Sequence, residues 1–306
     1  MKDSQRMKRN GVALRKIDLN ELPRYCRWPQ ALLENPASRQ VVRDRKKIDQ
    51  EYNVEKYGGC LRYYRQKRGA ITAEDIRQFQ CRADFQRALT QDTCMSVGKT
   101  LYATTLSRVH KHYGRVIRSE LRKAIRASGA ATVVELGCGY GYWLGAMAGE
   151  FSKKWFLGGE MSQSAVTLAS ELFRRRPNIT VRPFNFYDAR SYRLLEAATP
   201  PVLVVTIQAI EQVPHVDVVL DGLRPFRHMI RMVAHLEPVS EFYDRSLLGM
   251  MRCRYTELND YNRNLWSQLS RRGVARVLKV QPEIIGVNPL NPISVIWWEF
   301  TGRRAA

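Results

Sequence analysis

Glu135, Gly137, Gly139 and Gly141 stand at every second position of the segment VVELGCGYGYW. An apolar run ends in a carboxylate, and three residues without a Cβ follow it. Glycine lets a backbone turn sharply and come close to a ligand. A nucleotide is the usual ligand of such a loop after a strand. The dinucleotide pattern G-x-G-x-x-G is not met, because its last glycine would fall on Tyr142 or on Leu144. A phosphate-cradling G-x-x-x-x-G-K-[ST] loop is not met either. Gly98-Lys99-Thr100 supplies its end, but Thr93 stands where the first glycine is needed.

The elements that must position this loop can be read from periodicity. From about residue 130 strands and helices alternate. ATVVELG, KWFLGGE, ITVRPFNF and PVLVVTIQ read as buried strands, and RHMIRMVAHLEPV contains a fifth. YWLGAMAGEF, SQSAVTLASELFRRR (capped by Ser162 or Ser164), SYRLLEAA and VDVVLDGLRPF read as the helices between them. A long helical stretch is predicted from about Glu241 to Arg272, and ARVLKVQPEIIGV with ISVIWWEF as a closing antiparallel hairpin. Such alternation specifies a doubly wound α/β sheet. Residues 1–129 read as short helices and loops. Thr72 with Asp75 forms a helix-start signal, and residues 98–129 read as one long helix with a possible break at Gly114.

The residues Glu135-x-Gly137-x-Gly139-x-Gly141, with this strand pattern, resemble motif I of the class I S-adenosylmethionine-dependent methyltransferases. The resemblance covers residues 130–306. It implies a seven-stranded Rossmann-like sheet with an antiparallel last strand and S-adenosylmethionine as cofactor. It assigns the loop, with Cys138 and Tyr140 between its glycines, to the methionine and ribose part. Glu135 would help to place the methionine ammonium. Glu160, ending the second strand beside Met161, would accept hydrogen bonds from the ribose hydroxyls, since a carboxylate offers two oxygens side by side. Asn185, Phe186 and Asp188 would border the adenine, and Gln208 the cofactor's other side. Asn185 departs from the family, where an acid is commoner. FNFYD, AIEQVPH, HLEPV, YTELNDYNR and NPLNP also resemble segments of bacterial small-molecule methyltransferases, a group often found beside sugar or natural-product biosynthesis genes.

Methyl transfer needs a nucleophile within about 3–3.5 Å of the methyl group and, for a hydroxyl, a base for its proton. The ends of the fourth and fifth strands offer Glu211, His215, His235 and Glu237 as candidates. A lone histidine in a buried strand is more often a satisfied core residue, which weighs on His235. The insertion at about 238–274 carries Tyr255, Asn259, Tyr261 and Asn262, and the start of the antiparallel strand brings Asn288 and Asn291 to the same mouth. Tyrosine and asparagine suit a polyhydroxylated acceptor, although the same residues suit a salt-bridged helix face. His110 and His112, two apart on a helix, face different ways.

The chain of 306 residues carries a net charge of +21. Residues 1–130 hold 29 basic against 13 acidic residues, and the rest 21 against 16. A basic first half can attract nucleic acid, an anionic lipid surface or a phosphorylated substrate, although basic residues interspersed with acids also suit a plain arginine-rich helical surface; an RNA methyltransferase is the alternative to a small-molecule enzyme. No RNA-binding signature or base-methylating tetrapeptide supports it; IQAI follows the fourth strand. Six cysteines are scattered without metal spacing, which predicts no metal and a reduced, cytoplasmic setting. No apolar run is long enough to span a membrane.

Overall fold

The computed structural model describes residues 6–9, 12–33, 45–271 and 273–302. Its strands are β1 (Arg6–Arg9), β2 (Val12–Ile17), β3 (Asp92–Val97), β4 (Thr100–Thr105), β5 (Thr132–Leu136), β6 (Trp155–Glu160), β7 (Ile179–Pro183), β8 (Val202–Ile207), β9 (Ile230–Pro238), β10 (Ala275–Ile285) and β11 (Ile293–Phe300). The helices of the first part are α1 (Trp28–Leu33), α2 (Arg45–Asp49), α3 (Tyr57–Gln66), α4 (Ala73–Phe85) and α5 (Leu106–Ser128), with a π-helical stretch at Gln50–Lys56. Those of the second are α6 (Tyr142–Glu150), α7 (Gln163–Phe173), α8 (Asp217–Leu223), α9 (Leu247–Leu258) and α10 (Leu265–Leu269).

Seven strands form one sheet in the order β10-β11-β9-β8-β5-β6-β7. β5 to β9 pair in parallel, and β11 runs antiparallel to both β9 and β10. The order reverses between β5 and β8, so the open crevice lies at the carboxyl ends of these two strands. This is the doubly wound sheet that the alternation specified. One face packs against α5, α6 and α7 through Ile117, Leu121, Leu144 and Phe173. The other packs against α8, α10 and the 3₁₀ helix Ala189–Ala197 through Tyr192, Leu220 and Leu269. Both faces are covered, which is why the strands are continuous apolar runs.

The first part departs from the expectation of helices and loops. β1, β2, β4 and β3 form a second, antiparallel sheet. TLYATT, expected inside the long helix, is β4; its β-branched and aromatic residues favour a pleated surface. α5 therefore starts at Leu106, runs through Gly114 without a break and ends at Ser128, with Gly129 in left-handed conformation after it. The predicted cap at Thr72 is present: its hydroxyl accepts from the Asp75 amide, and the Asp75 carboxylate accepts from the Thr72 amide. The predicted helix from Glu241 to Arg272 is two helices, α9 and α10, separated by residues 259–264.

The small sheet is joined to the large one at β3. Ser96 exchanges two backbone hydrogen bonds with Gly286, just past β10. A buried guanidinium secures the joint. Arg252 of α9 donates to the Glu283 carboxylate at 2.5 Å, to the Pro289 carbonyl at 2.9 Å and to the Gly98 carbonyl at 3.1 Å. Side chains of β2, β3, β4, α9 and residues 261–290, among them Leu101, Leu248, Tyr255 and Leu290, form a common apolar cluster.

Candidate active site

β5 delivers Glu135 to the crevice, and the glycine turn follows. Gly137, Gly139 and Gly141 have φ values of +75°, +56° and +76°, the left-handed region that glycine enters without steric cost. A Cβ on Gly137 would stand 2.4 Å from the Cβ of Ala209, so the loops after β5 and β8 touch there. A Cβ on Gly139 would stand 2.6 Å from the Tyr57 hydroxyl. The Gly141 turn leads directly into α6.

Two carboxylates flank this loop. Glu160 ends β6; it accepts from the Gly139 amide at 2.8 Å through one oxygen and from the Ser162 amide at 2.8 Å through the other. Each oxygen keeps acceptor capacity for a further donor. Burial raises the Glu160 pKa against the lowering effect of these bonds. Glu135 is 3% exposed, and among the described residues no hydrogen bond reaches its carboxyl. Burial first, and then the charge of Glu160, raise its pKa well above the usual range. A buried carboxyl without a donor is costly and fits a cationic ligand group.

The other residues expected at the cofactor divide. Phe186 borders the loop, since its ring would lie 3.5 Å from a Cβ on Gly137. Asn185 lies beside it and accepts from the Tyr187 amide, while Asp188 uses its oxygens on Arg190 and Ser191 as a helix cap. Cys138 and Tyr140 bring only their backbone to the loop. The Cys138 thiol faces Gly158 in the sheet core, and Tyr140 packs among Cys60, Tyr64, Ile76 and Leu168. Met161 lies at the surface, 36% exposed. Gln208 follows β8 in the left-handed region, φ +49°, which is strained for a residue with a side chain. Its side-chain oxygen accepts from the Tyr113 hydroxyl of α5 at 2.5 Å.

The four candidate bases are not equivalent. His235 is fully buried; its Nδ1 pairs with the Thr206 hydroxyl at 2.9 Å and its ring stacks near Trp298. Burial lowers its pKa to about 3. It is a core histidine that does not reach the mouth, because β9 is covered on both faces. Glu237 is also fully buried, and its oxygens accept from the amides of Ala209, Ile210 and Glu211 at 3.0–3.3 Å. It clamps the turn after β8 and does not contact the crevice; burial, then the nearby Glu211, raise its pKa to about 8. His215 is exposed on the chain before α8. Glu211 follows β8 and is held by side chains. One of its oxygens accepts from the Asn291 amide group at 2.9 Å and the other from Gln212 at 3.2 Å.

Around Glu211 the structure gathers Asn291, Tyr255, Tyr261 and Asn288. Asn288 and Tyr261 hydrogen-bond the Tyr255 hydroxyl, and the Glu211 charge acts on it as well. Asn259 and Asn262 serve the backbone instead. Asn259 donates to the Tyr255 carbonyl, and Asn262 donates to the Val213 carbonyl while accepting from Asn264 and Leu265.

Three residues here carried no signal in the sequence. Tyr113 follows the apolar period of α5 and looks like core. Asn53 and Tyr57 belong to a stretch without a motif, yet Asn53 accepts from the Ser162 hydroxyl and the Ser164 amide, and Tyr57 covers Gly139. Among the described residues no histidine, cysteine and carboxylate cluster suits a metal, and no helix is long and apolar enough to cross a membrane.

No family model and no curated protein matches the sequence. Solved structures do match, at low identity. A candidate sarcosine dimethylglycine methyltransferase from Galdieria sulphuraria is 11% identical, with a TM-score of 0.47 over 63% of this chain and 89% of that one. The N,N-8-amino-8-demethyl-D-riboflavin dimethyltransferase of Streptomyces davawensis is 12% identical, with a TM-score of 0.43 over 64% and 57%. The magnesium protoporphyrin IX methyltransferase of Synechocystis PCC 6803 is 9% identical, with a TM-score of 0.43 over 61% and 84%. The architecture of this chain rests on its own strand order, which is the order that the motif resemblance implied.

Proposed function

We propose that the chain is an S-adenosylmethionine-dependent methyltransferase acting on a hydroxyl of a small molecule such as a sugar or natural product. The observation that carries this reading is the pair of buried carboxylates, Glu135 and Glu160, on either side of a left-handed glycine turn at the switch point of the sheet. S-adenosylmethionine, when bound, supplies an electrophilic methyl group. Glu135, which has no hydrogen-bond donor among the described residues, would receive the ammonium of its methionine part. Glu160 would receive the ribose hydroxyls on its remaining lone pairs. Phe186 and Asn185 would border the adenine.

On the acceptor side Glu211 would take the hydroxyl proton. Asn291 fixes one of its oxygens, and Glu237 fixes the backbone that carries it. Tyr255, Tyr261 and Asn288 would orient the acceptor. Residues 1–129 would act as a lid and acceptor-selecting region over the domain 130–306, with Tyr57 above the glycine turn. The charge of that first part favours a second reading, RNA as acceptor.

Titration of the purified chain with S-adenosylmethionine and S-adenosylhomocysteine tests the cofactor. Micromolar binding at one site, lost in Glu160→Ala, is expected; absence of binding by folded protein overturns the reading. Transfer of a labelled methyl group to sugar and RNA pools then separates the two acceptor classes. RNA affinity that falls steeply with salt would favour the second.

A further inference from the structure

A cleft of about 400 Å³ lies between α4, α5 and the start of α6, a volume within the range of small-molecule sites. It is not the mouth, since Glu211, Tyr255 and Asn291 are absent from its walls. Ser107, His110, Gly114 and Arg118 line it from α5, on a face adjacent to the one that carries Tyr113 and Ile117 into the core.

Its floor is a guanidinium on aromatic rings. Arg77 of α4 lies 4.4 Å above the Tyr142 ring and 4.9 Å from the Trp143 ring. It fits there because Gly114 has no side chain; a Cβ at that position would stand 3.3 Å from the guanidinium. Arg77 is largely buried, yet it forms no ion pair among the described residues; it hydrogen-bonds the Tyr142 phenol and reaches the His110 carbonyl at 3.5 Å, and the charge of Glu74 acts on it from a distance. Lys111, Arg115 and Arg118 add positive charge at the rim. The one acid of the cleft, Glu74, accepts from the Tyr142 phenol at 2.5 Å, and Arg118 has only a distant partner in Glu150, at 3.8 Å.

A guanidinium held by a phenol and a carbonyl, with no carboxylate in salt-bridge contact, keeps further donors for an anion. The planar fork of arginine matches a phosphate with two parallel bonds, and aromatic walls exclude competing water. We propose that this cleft is a binding site for a small phosphorylated metabolite. Its phosphate sits on Arg77 and the basic rim, and its organic part lies against Trp143. The site does not rest on the cofactor reading: Tyr142 and Trp143 follow the glycine turn directly, but Glu135, Glu160 and the three glycines are not in its walls.

Calorimetric titration of the full chain with inorganic pyrophosphate and with ribose 5-phosphate, in low salt and with S-adenosylhomocysteine in excess, tests the site. One site per chain is expected for both probes, with ribose 5-phosphate weakened at least about tenfold (~1.4 kcal/mol) in Arg77→Gln and in the exposed pair Lys111→Gln/Arg118→Gln. The rim pair keeps the test alive if Arg77→Gln does not fold. Glu160→Ala should leave pyrophosphate binding intact while losing S-adenosylhomocysteine, which separates this proposal from the previous one. No binding, or binding equal in all variants, overturns it. Single-stranded RNA that binds far more tightly than either probe, and loses that affinity in the rim pair, overturns it as well by making the cleft part of a nucleic-acid surface.

Discussion

At the scale of single residues, the mouth assigns different work to groups that look alike in sequence. Glu211 and Glu237 are two carboxylates near the carboxyl ends of adjacent strands, but Glu237 accepts from backbone amides and Glu211 from side chains. Glu211→Gln should lower kcat by about 10²–10⁴-fold, the usual worth of a general base, with S-adenosylhomocysteine affinity unchanged in the same titration. His235 makes a prediction about pH. Its folded pKa of about 3 lies below the ordinary 6.5, so the unfolded chain takes up the proton first as pH falls. The neutral buried ring is compatible with full stability above pH ~6.5, and stability is lost between there and pH ~3, by about 5 kcal/mol at the lower end. Denaturant unfolding across this window should show a flatter profile for His235→Leu than for the native chain. Its methyl transfer should persist, whereas loss of kcat with normal folding would return His235 to the mechanism.

At the scale of elements, what was legible followed from periodicity. The parallel strands, the loop between β5 and α6 and the antiparallel β11 announce themselves by apolar runs and breakers, and the logic of strand ends led to Glu211, Asn288 and Asn291. β4 was hidden because TLYATT joins α5 with no glycine or proline between them, so nothing marks where period two becomes period 3.6. Tyr57 and Asn53 were hidden because their partners, Gly139 and Ser162, lie far along the chain. His235 was misplaced because strand position does not tell a crevice from a covered face. The close contact between the loops after β5 and β8 gives an element-scale test. Gly137→Ala brings a methyl into Ala209 and forces a left-handed φ on a side chain. It should cost about 1–3 kcal/mol of stability and weaken S-adenosylhomocysteine at least about tenfold, read by thermal unfolding and calorimetry together. Glu237→Gln would turn an NH₂ toward three amides; a loss of about 1–3 kcal/mol is expected in denaturant unfolding.

At the scale of the whole molecule, Arg252 connects the small sheet, α9 and the terminal hairpin. Removing one partner of a buried ion pair leaves the other charge uncompensated. Arg252→Met should therefore destabilise by about 3–5 kcal/mol, and adding Glu283→Gln should restore part of it, measured by chemical unfolding. The uneven charge could be counted in sequence, but its concentration beside Arg77 could not, because α4 and α5 meet only in the fold.

Asn53 and Tyr57 carry a last consequence. Asn53 is bonded to Ser162 and Ser164, next to Glu160, and Tyr57 rests on the glycine turn. Under the proposed lid role, traffic on that side of the crevice would wait for these bonds to open, and turnover would run on two clocks. A first round of chemistry would be timed by Glu211 and its neighbours. Every later round would be timed by how often residues 50–57 let go. Asn53→Ala should then raise the steady rate and shrink any initial burst of product, while a single turnover keeps its pace in rapid-quench measurements.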